Sequence, residues 1–452
     1  MRVKTTNSIT AEKKTSLSRQ TIRVQHQLAQ WTKGGRKHWD LYRWLMNPMI
    51  LCDAAKLVVE NGGAPGVDGR TCESIKGREW DYAIEISRSL RSKTYHPRPV
   101  RRVYIAKRDG RKRPLGIPCI DDRIVERALV LLLEPIYEQV FLPCSYGFRR
   151  GKSATECVAE TAKLVYSHRH VLEADIESFF DRVSHRKLFG MLKEKIVDPR
   201  ILDLIREILK AGFVEWDKPW QPTQKGTPQG SPLSPLMSNV YLHYTLDSKF
   251  AKSNPQRSRL VRYADDFVMV SETKADLLVL KRNLDRWMRE GGLNLKESKT
   301  RVVDMRNRRR SHDSKFNFLG YKFHLRSYRD NPKRFWIARQ PSESSRTELH
   351  QNLKAKLTPN LPLKQARNQL KLVWNGWSNY FRYGNSNRVF YREIRSLKGI
   401  VEWYLRRKYR QQRRPVPWKK LHPLANRILK DIKPVRVISD SLRQKQAQPA
   451  LF

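Results

Sequence analysis

In the stretch VRYADDFVMV, residues 261–270, two adjacent aspartates, Asp265 and Asp266, interrupt a run of Val, Tyr, Phe and Met. Strand-forming residues on both sides of an Asp pair read as a hairpin with the acids at its tip, because Asp tolerates turn geometry. Turn chemistry alone accounts for an isolated pair of this kind. A third acid changes the reading: in VLEADIESFFD, residues 171–181, an apolar strand again runs into an acid, Asp175. Three carboxylates at strand ends are what a two-metal phosphoryl-transfer site requires. Such a site holds two divalent ions roughly 3.5–4 Å apart, one activating the attacking oxygen and one stabilising the leaving oxygen. Magnesium takes hard oxygen ligands and keeps positions open for substrate phosphates. Two bound Mg²⁺ ions would also offset the mutual repulsion of Asp175, Asp265 and Asp266.

Between the acids lies KGTPQGSPLSPLMSNVYLH, residues 225–243, a turn-rich loop running into a helical segment. Gly226 and Gly230 allow a backbone to approach a ligand closely, and a helix N-terminus favours phosphate. The loop gains weight from its place in the chain, after Asp175 and before Asp265.

The elements that must carry these groups are legible in outline. RRVYIAKRDGRKRPLGIP (101–118) reads as two strands joined by an Asp-Gly turn at 109–110. RIVERALVLLLEPIYEQVF (123–141) reads as a buried helix that Pro135 bends or ends. Residues 171–189 begin as a strand and turn helical near their polar centre, and FNFLGYKFH (316–324) has strand character. From about residue 346 the pattern is helical, with Ala366, Leu370, Val373 and Trp377 on one face and Gly384 as a stop. A further helix from about 388 turns Ile394, Leu397, Val401 and Tyr404 inward.

A chain of 452 residues exceeds one hydrophobic core, so two or three domains are expected. Its 91 Lys+Arg against 44 Asp+Glu leave a net charge of +47, which calls for a polyanion, and nucleic acid is the usual one. No apolar stretch approaches the 18 or so residues of a spanning helix, so a membrane partner is not expected. Residues 1–47 hold ten Lys/Arg and two acids, interleaved with Trp31, Trp39, Tyr42 and Trp44. That pattern suits RNA contact and equally a solvated helix with Trp packed inward. The last 52 residues hold fourteen Lys/Arg and three acids and read as a basic tail module. Five scattered cysteines without a Cys-x-x-Cys argue against a zinc site or a disulfide framework and suit a reducing cytosol. A bacterial-type cytoplasmic location is the expectation; the basic, Ser/Thr-rich N-terminus fits an organellar targeting segment or a nucleic-acid-binding arm.

With these blocks in order, the chain resembles the reverse transcriptases of the group II intron type, the intron-encoded maturases. The resemblance runs from GAPGVDG to KKLH and rests on RPLGIP (113–118), SYGFRRGKSA (145–154), DIESFFDRVSH (175–185), GTPQGSPLSPLMSN (226–239), YADD (263–266), LNLKESKT (293–300), FLGYKF (318–323) and WNGWSNYFRYG (374–384). It implies an α+β right-hand polymerase. Residues 1–60 would form a basic N-terminal extension, 61–340 fingers and a palm with an antiparallel sheet, 341–404 a helical thumb and maturase region, and 405–452 a small basic DNA-binding region.

Residue by residue, Asp175 and Asp265 match the family's metal-binding aspartates and Asp266 the adjacent third acid. Lys107 and Arg113 match residues that hold the incoming deoxynucleotide triphosphate, and Lys299 a basic residue close to it. Phe180 matches the aromatic that collides with a ribose 2′-OH, with Phe179 beside it as the alternative core residue. Gln229 matches the position beneath the nascent base pair, and Gly320 lies in the block that holds the primer terminus. His185 reads as structural. The aromatics Trp374, Trp377, Tyr380 and Phe381 fit a helix-bundle core, which leaves Arg382, Arg388, Arg392 and Arg395 for phosphate contact. Arg406, Arg407, Arg413 and Arg414 belong to the basic tail and its DNA contact.

The resemblance thus implies an RNA-directed DNA polymerase and maturase that binds group II intron RNA, assists its splicing and copies RNA into DNA during retrohoming. Its partners would be intron RNA, target DNA, the template–primer duplex and deoxynucleotides, with one or two protein copies in the particle. The alternatives are a splicing-only maturase with a vestigial polymerase centre and a domesticated or defence-associated reverse transcriptase without an intron. Many relatives end in an endonuclease domain with Cys pairs. No cysteine follows Cys157 here, so second-strand cutting by this chain is not expected.

Overall fold

Three runs rich in β-branched and aromatic residues, around Val171, Val261 and Val268, become neighbouring strands in the computed structural model of the chain. The structure describes residues 17–106, 112–253, 256–306, 314–328, 330–331, 335–411 and 417–438, with backbone alone at 106 and 418–420. Ten strands occur in these residues: β1 (Val100–Ala106), β2 (Lys112–Ile117), β3 (His170–Asp175), β4 (Phe213–Val214), β5 (Ser258–Tyr263), β6 (Asp266–Ser271), β7 (Arg301–Asp304), β8 (Lys315–Phe318), β9 (Tyr321–Ser327) and β10 (Phe335–Pro341). They form three sheets, ordered β5-β6-β3-β7, β2-β1-β4 and β10-β9-β8. All pairings are antiparallel except β1 with β4.

The central sheet β5-β6-β3-β7 is covered on both faces, which is why the strand interiors Val171–Leu172, Leu260–Val261, Phe267–Val270 and Val302–Val303 are apolar at successive positions instead of alternating. Leu172, Ala174, Leu260, Phe267 and Met269 join a first core with the helices Ile120–Tyr137, Ser234–Leu242 and Lys274–Glu290. The alternate positions Val171, Val261, Val268, Val270 and Val303 join a second core with the helix Ala154–His168, the β10-β9-β8 sheet and the C-terminal helices. Each strand therefore staples two cores together by the simple alternation of its side chains.

The helices Arg19–Lys33, Leu41–Leu45 and Pro48–Asn61 pack onto the first core beside Ile120–Tyr137. Local chemistry starts two of them: Ser18 accepts from the Thr21 amide, and Asn47 accepts from the Met49 amide with Pro48 at the first helical position. Trp31, Tyr42 and Trp44 are partly buried against this core, and Trp39 stays exposed. Pro135 lies two residues before the last residue of its helix and has no amide to offer the Leu131 carbonyl oxygen, which accepts from Gln25 Nε2 at 2.9 Å instead.

FNFLGYKFH becomes two strands, not one. Leu319 and Gly320 both take positive φ, +49° and +75°, and turn β8 back into β9. Two-residue hairpin loops with φ > 0 at both positions match the natural twist of the strands they join.

The C-terminal part is helical: Glu343–Lys356, Leu363–Phe381, Asn387–Gln411 and Trp418–Leu429. Ala366, Leu370, Trp374, Phe381, Leu397, Val401 and Tyr404 are buried on their shared faces. The helix Leu363–Phe381 stops three residues before Gly384. That glycine instead fits beneath β10, where a Cβ would come within 2.5 Å of the Arg339 carbonyl oxygen. Asn387–Gln411 runs unbroken past residue 405. No helix among the described residues is long and apolar enough to cross a membrane.

Candidate active site

Asp175 is the last residue of β3, and the antiparallel register sets it directly across from Asp266, the first residue of β6. Directly opposed residues on neighbouring strands share a face, with Cβ atoms about 4.5–5.5 Å apart. β5 enters the same corner through Tyr263, paired with Asp266, so Ala264 and Asp265 alone form the turn. The three acids thus meet at one end of the central sheet.

Like charges so arranged repel, and the structure shows three responses. Lys299 Nζ reaches Asp175 Oδ2 at 2.6 Å. It does so because Lys296 donates its amide to the Asp175 carbonyl oxygen and Leu295 bridges Ile176, which docks residues 294–299 along the strand end. The Asp265 carboxyl is pushed above the usual aspartate range by burial, with the Asp175 charge adding to the effect and Arg113 and Arg262 opposing it. Asp266 stays exposed. Among the described residues no three His, Cys, Asp or Glu side chains close into a ready metal cage. The carboxylates are adjacent in register, and Lys299 holds one of them.

What fixes the turn is a buried network that the sequence reading did not single out. Arg262 is fully buried. Its guanidinium donates to both carboxylate oxygens of Asp247, at 2.8 and 2.5 Å, and to the Asn239 side-chain oxygen and the Ala264 carbonyl oxygen, each at 3.0 Å. Asn239 Nδ2 donates in turn to the Gly147 carbonyl oxygen at 2.7 Å. A Cβ at Gly147 would come within 2.3 Å of the Ala264 amide nitrogen, so only glycine lets this segment lie against the hairpin. Ala264 itself takes φ +56°, a conformation uncommon outside glycine. A signal for the network was present: an arginine between Val261 and Tyr263, in a stretch of strand that is otherwise apolar.

The Pro-Gln-Gly loop is clamped from three sides. Thr227 donates its amide to the Phe180 carbonyl oxygen at 2.8 Å, and Gly226 donates to Val183 at 2.7 Å. His185 Nε2 meets the Gly226 carbonyl oxygen at 2.7 Å, which gives that histidine the structural role expected of it. Gly116 of β2 donates to the Gln229 carbonyl oxygen at 2.7 Å. From the helix Ile120–Tyr137, the buried Glu126 accepts from Ser231 Oγ and from the Leu233 amide, and burial pushes its pKa up to about 7. The loop therefore links Phe180 to the strand that carries Arg113. Phe179 is the core residue of its pair, 2% exposed and edge-on to Tyr241, whereas Phe180 is only partly buried.

Other candidates stand elsewhere. Gly320 contacts the start of the helix Glu343–Lys356, its carbonyl oxygen accepting from the Ser342 amide and Ser345 Oγ, both at 2.9 Å. Trp374 donates to the Lys433 carbonyl oxygen, Trp377 to that of Ser345, and Tyr380 to that of Leu319, so these aromatics tie the helices together. Arg388, Arg392, Arg395, Arg406 and Arg407 lie exposed on the single helix Asn387–Gln411. Arg382 is half-buried, with its Nε inside the protein. Lys107, Arg413 and Arg414 fall outside the described residues, as does the Asp-Gly turn at 109–110.

Residues 105–323 match the family model described as reverse transcriptase (RNA-dependent DNA polymerase). The chain is 33% identical over 344 residues to protein YkfC of Escherichia coli strain K12, covering 66% of this chain and 87% of that protein. It is 38% identical over 225 residues to the group II intron-encoded protein LtrA of Lactococcus lactis subsp. cremoris, covering 48% of this chain and 37% of LtrA. It is also 37% identical over 205 residues to an uncharacterized 91 kDa protein in the cob intron of Schizosaccharomyces pombe, covering 45% of this chain and 25% of that protein.

Proposed function

Because the chain belongs to the group II intron-type reverse transcriptases and maturases, a family of RNA-directed DNA polymerases, we propose that it copies RNA into DNA at the β3–β6 strand ends and binds a group II intron RNA whose splicing and retrohoming it assists. On this reading the central sheet is the palm, the β2-β1-β4 sheet the fingers and the helices from Glu343 onward the thumb, with residues past 405 adding DNA contact. The observation that carries the reading is the register of Asp175 against Asp266, with Asp265 at the turn between β5 and β6.

The donor chemistry fits two magnesium ions: three hard carboxylate ligands on adjacent strand ends, one of them raised in pKa by burial and by its neighbour's charge. Asp175, Asp265 and Asp266 would hold them, with Lys299 released from Asp175. Bound there, magnesium supplies activation of the primer 3′-oxygen and charge stabilisation at the nucleotide phosphates. The chain's own groups do the rest. Arg113 and Lys299, with Lys107, neutralise the triphosphate, Phe180 lies against the sugar, and Gln229 supports the new base pair from a loop clamped on three sides. Gly320 contributes to primer placement through the β8–β9 turn. The exposed arginines of Asn387–Gln411 meet phosphates of intron RNA or duplex.

Primer extension on an RNA template with Mg²⁺ tests the reading. Incorporation of deoxynucleotides by the wild type, absent in Asp175→Asn, is the expected result. Intron RNA binding without any incorporation would leave a splicing cofactor with an idle polymerase centre.

A further inference from the structure

The segment that supports the Asp265 hairpin also carries a large aromatic side chain that the fold leaves exposed. Phe148 is 54% exposed and has φ +56°. A bulky residue in the left-handed region is strained, and such strain persists only where the surroundings over-determine the backbone. Here they do. Tyr146 donates its amide to the Arg262 carbonyl oxygen at 2.8 Å, and the Gly147 carbonyl oxygen accepts from Asn239. On the other side, Arg149 makes paired contacts to Glu138 and donates to the Leu142 and Ser145 carbonyl oxygens, both at 2.8 Å. Locked before and behind, the backbone turns an apolar ring into solvent one residue from the glycine that touches Ala264. Arg150, with 65% of its side chain exposed, and the exposed Lys152 follow it.

We propose that Phe148 is a stacking platform for an unpaired base of the template strand entering the active centre, with Arg150 and Lys152 meeting the adjoining phosphates. Every base offers a π-face, so an aromatic flanked by cations suits a strand whose sequence varies as copying proceeds. An unpaired base fits better than a duplex, because only an unstacked face is free to meet the ring. The inference rests on reading the Asp265 hairpin as the polymerase centre.

The test uses the full chain and an RNA template annealed to a DNA primer, with 2-aminopurine at the first unpaired template position. Wild type, Phe148→Ala, Phe148→Trp and Phe148→Gly are compared by affinity, fluorescence quenching and Tm. Phe148→Ala and Phe148→Gly should weaken binding about fivefold to a hundredfold and abolish the quench, with Phe148→Trp retaining both. Phe148→Gly should keep or raise Tm, since glycine accepts the strained φ. Equal affinity and quenching in wild type and Phe148→Ala would overturn the proposal, as would a fall of several degrees in Tm for both small variants. Primer extension by the same wild-type sample separates these results from failure of the polymerase reading itself.

Discussion

Asp175 and Asp266 face each other across two adjacent antiparallel strands. Opposed like charges in a ladder destabilise it, by about 0.5 kcal/mol. The function that needs both carboxylates should therefore oppose stability. Asp266→Asn is expected to raise the unfolding free energy by that order while slowing deoxynucleotide incorporation. Asp175→Asn should slow incorporation roughly a thousandfold, the equivalent of several kcal/mol of lost charge stabilisation. Urea titration and primer extension on the same preparations would show whether the two effects part in this way.

Lys299 sits on Asp175 at 2.6 Å, but the lysine side chain is 58% exposed. A pair so open to water contributes about 1 kcal/mol or less to stability. Lys299→Met should leave Tm nearly unchanged and raise KM for deoxynucleotides about tenfold or more, as loss of a charge-assisted contact does. A large drop in Tm with KM unaltered would assign the lysine to the fold alone.

The Arg262–Asp247 pair has no exposed side-chain surface on either partner. Removing one charge strands the other in the interior, at roughly 3–5 kcal/mol. Asp247→Ala should reach that loss in urea unfolding, and any folded fraction should incorporate slowly because the Ala264 turn loses its anchor. Near-native stability in this variant is the outcome the network cannot accommodate.

Burial pushes Glu126 up to about 7, against an ordinary value near 4.5. The folded state thus holds this proton more tightly than the unfolded chain. The resulting stability is fully present below about pH 4.5 and is lost as pH rises to about 7. The buried His38 and His243, both lowered to about 4, act in the opposite sense between about pH 4 and 6.5. The comparison to make is therefore between wild type and Glu126→Gln. Relative to wild type, the glutamine variant should gain stability as pH rises from 5 to 7, by on the order of 3 kcal/mol at most. A constant difference across that range would show that Glu126 does not titrate there.

Arg388, Arg392 and Arg395 are exposed on one helix. If each meets an RNA phosphate, replacing all three with Gln should weaken intron RNA binding and flatten the dependence of log K on log salt by about 0.7–0.9 per lost contact. An unchanged slope would move the RNA path to another face.

Some of this architecture was plain in the residues and some was not. The strand composition around Asp265, the turn at the aspartates and the inward faces of the helices from Glu343 on are local properties, set within a few residues of chain. FNFLGYKFH shows the limit: a continuous strand pattern hid a turn at Leu319, a leucine held at positive φ where the returning strand pairs Tyr321 with Phe318. Gly384 shows another, since a glycine that could end a helix instead makes room for the Arg339 carbonyl oxygen of a distant strand.

The sequence by itself determined which groups were available: three carboxylates at strand ends, a glycine-punctuated loop between them, and a cationic excess of +47 that demands a polyanion. Only the tertiary structure decided that Asp175 stands opposite Asp266, that Lys299 pairs with it, and that Arg262 holds the turn. The Arg262 network joins residues 15, 23 and 92 positions apart, through Asp247, Asn239 and Gly147. Hydrogen bonds of that span form only once two cores have closed on either face of one sheet. No local propensity encodes them, because each buried donor finds its acceptor on a different element.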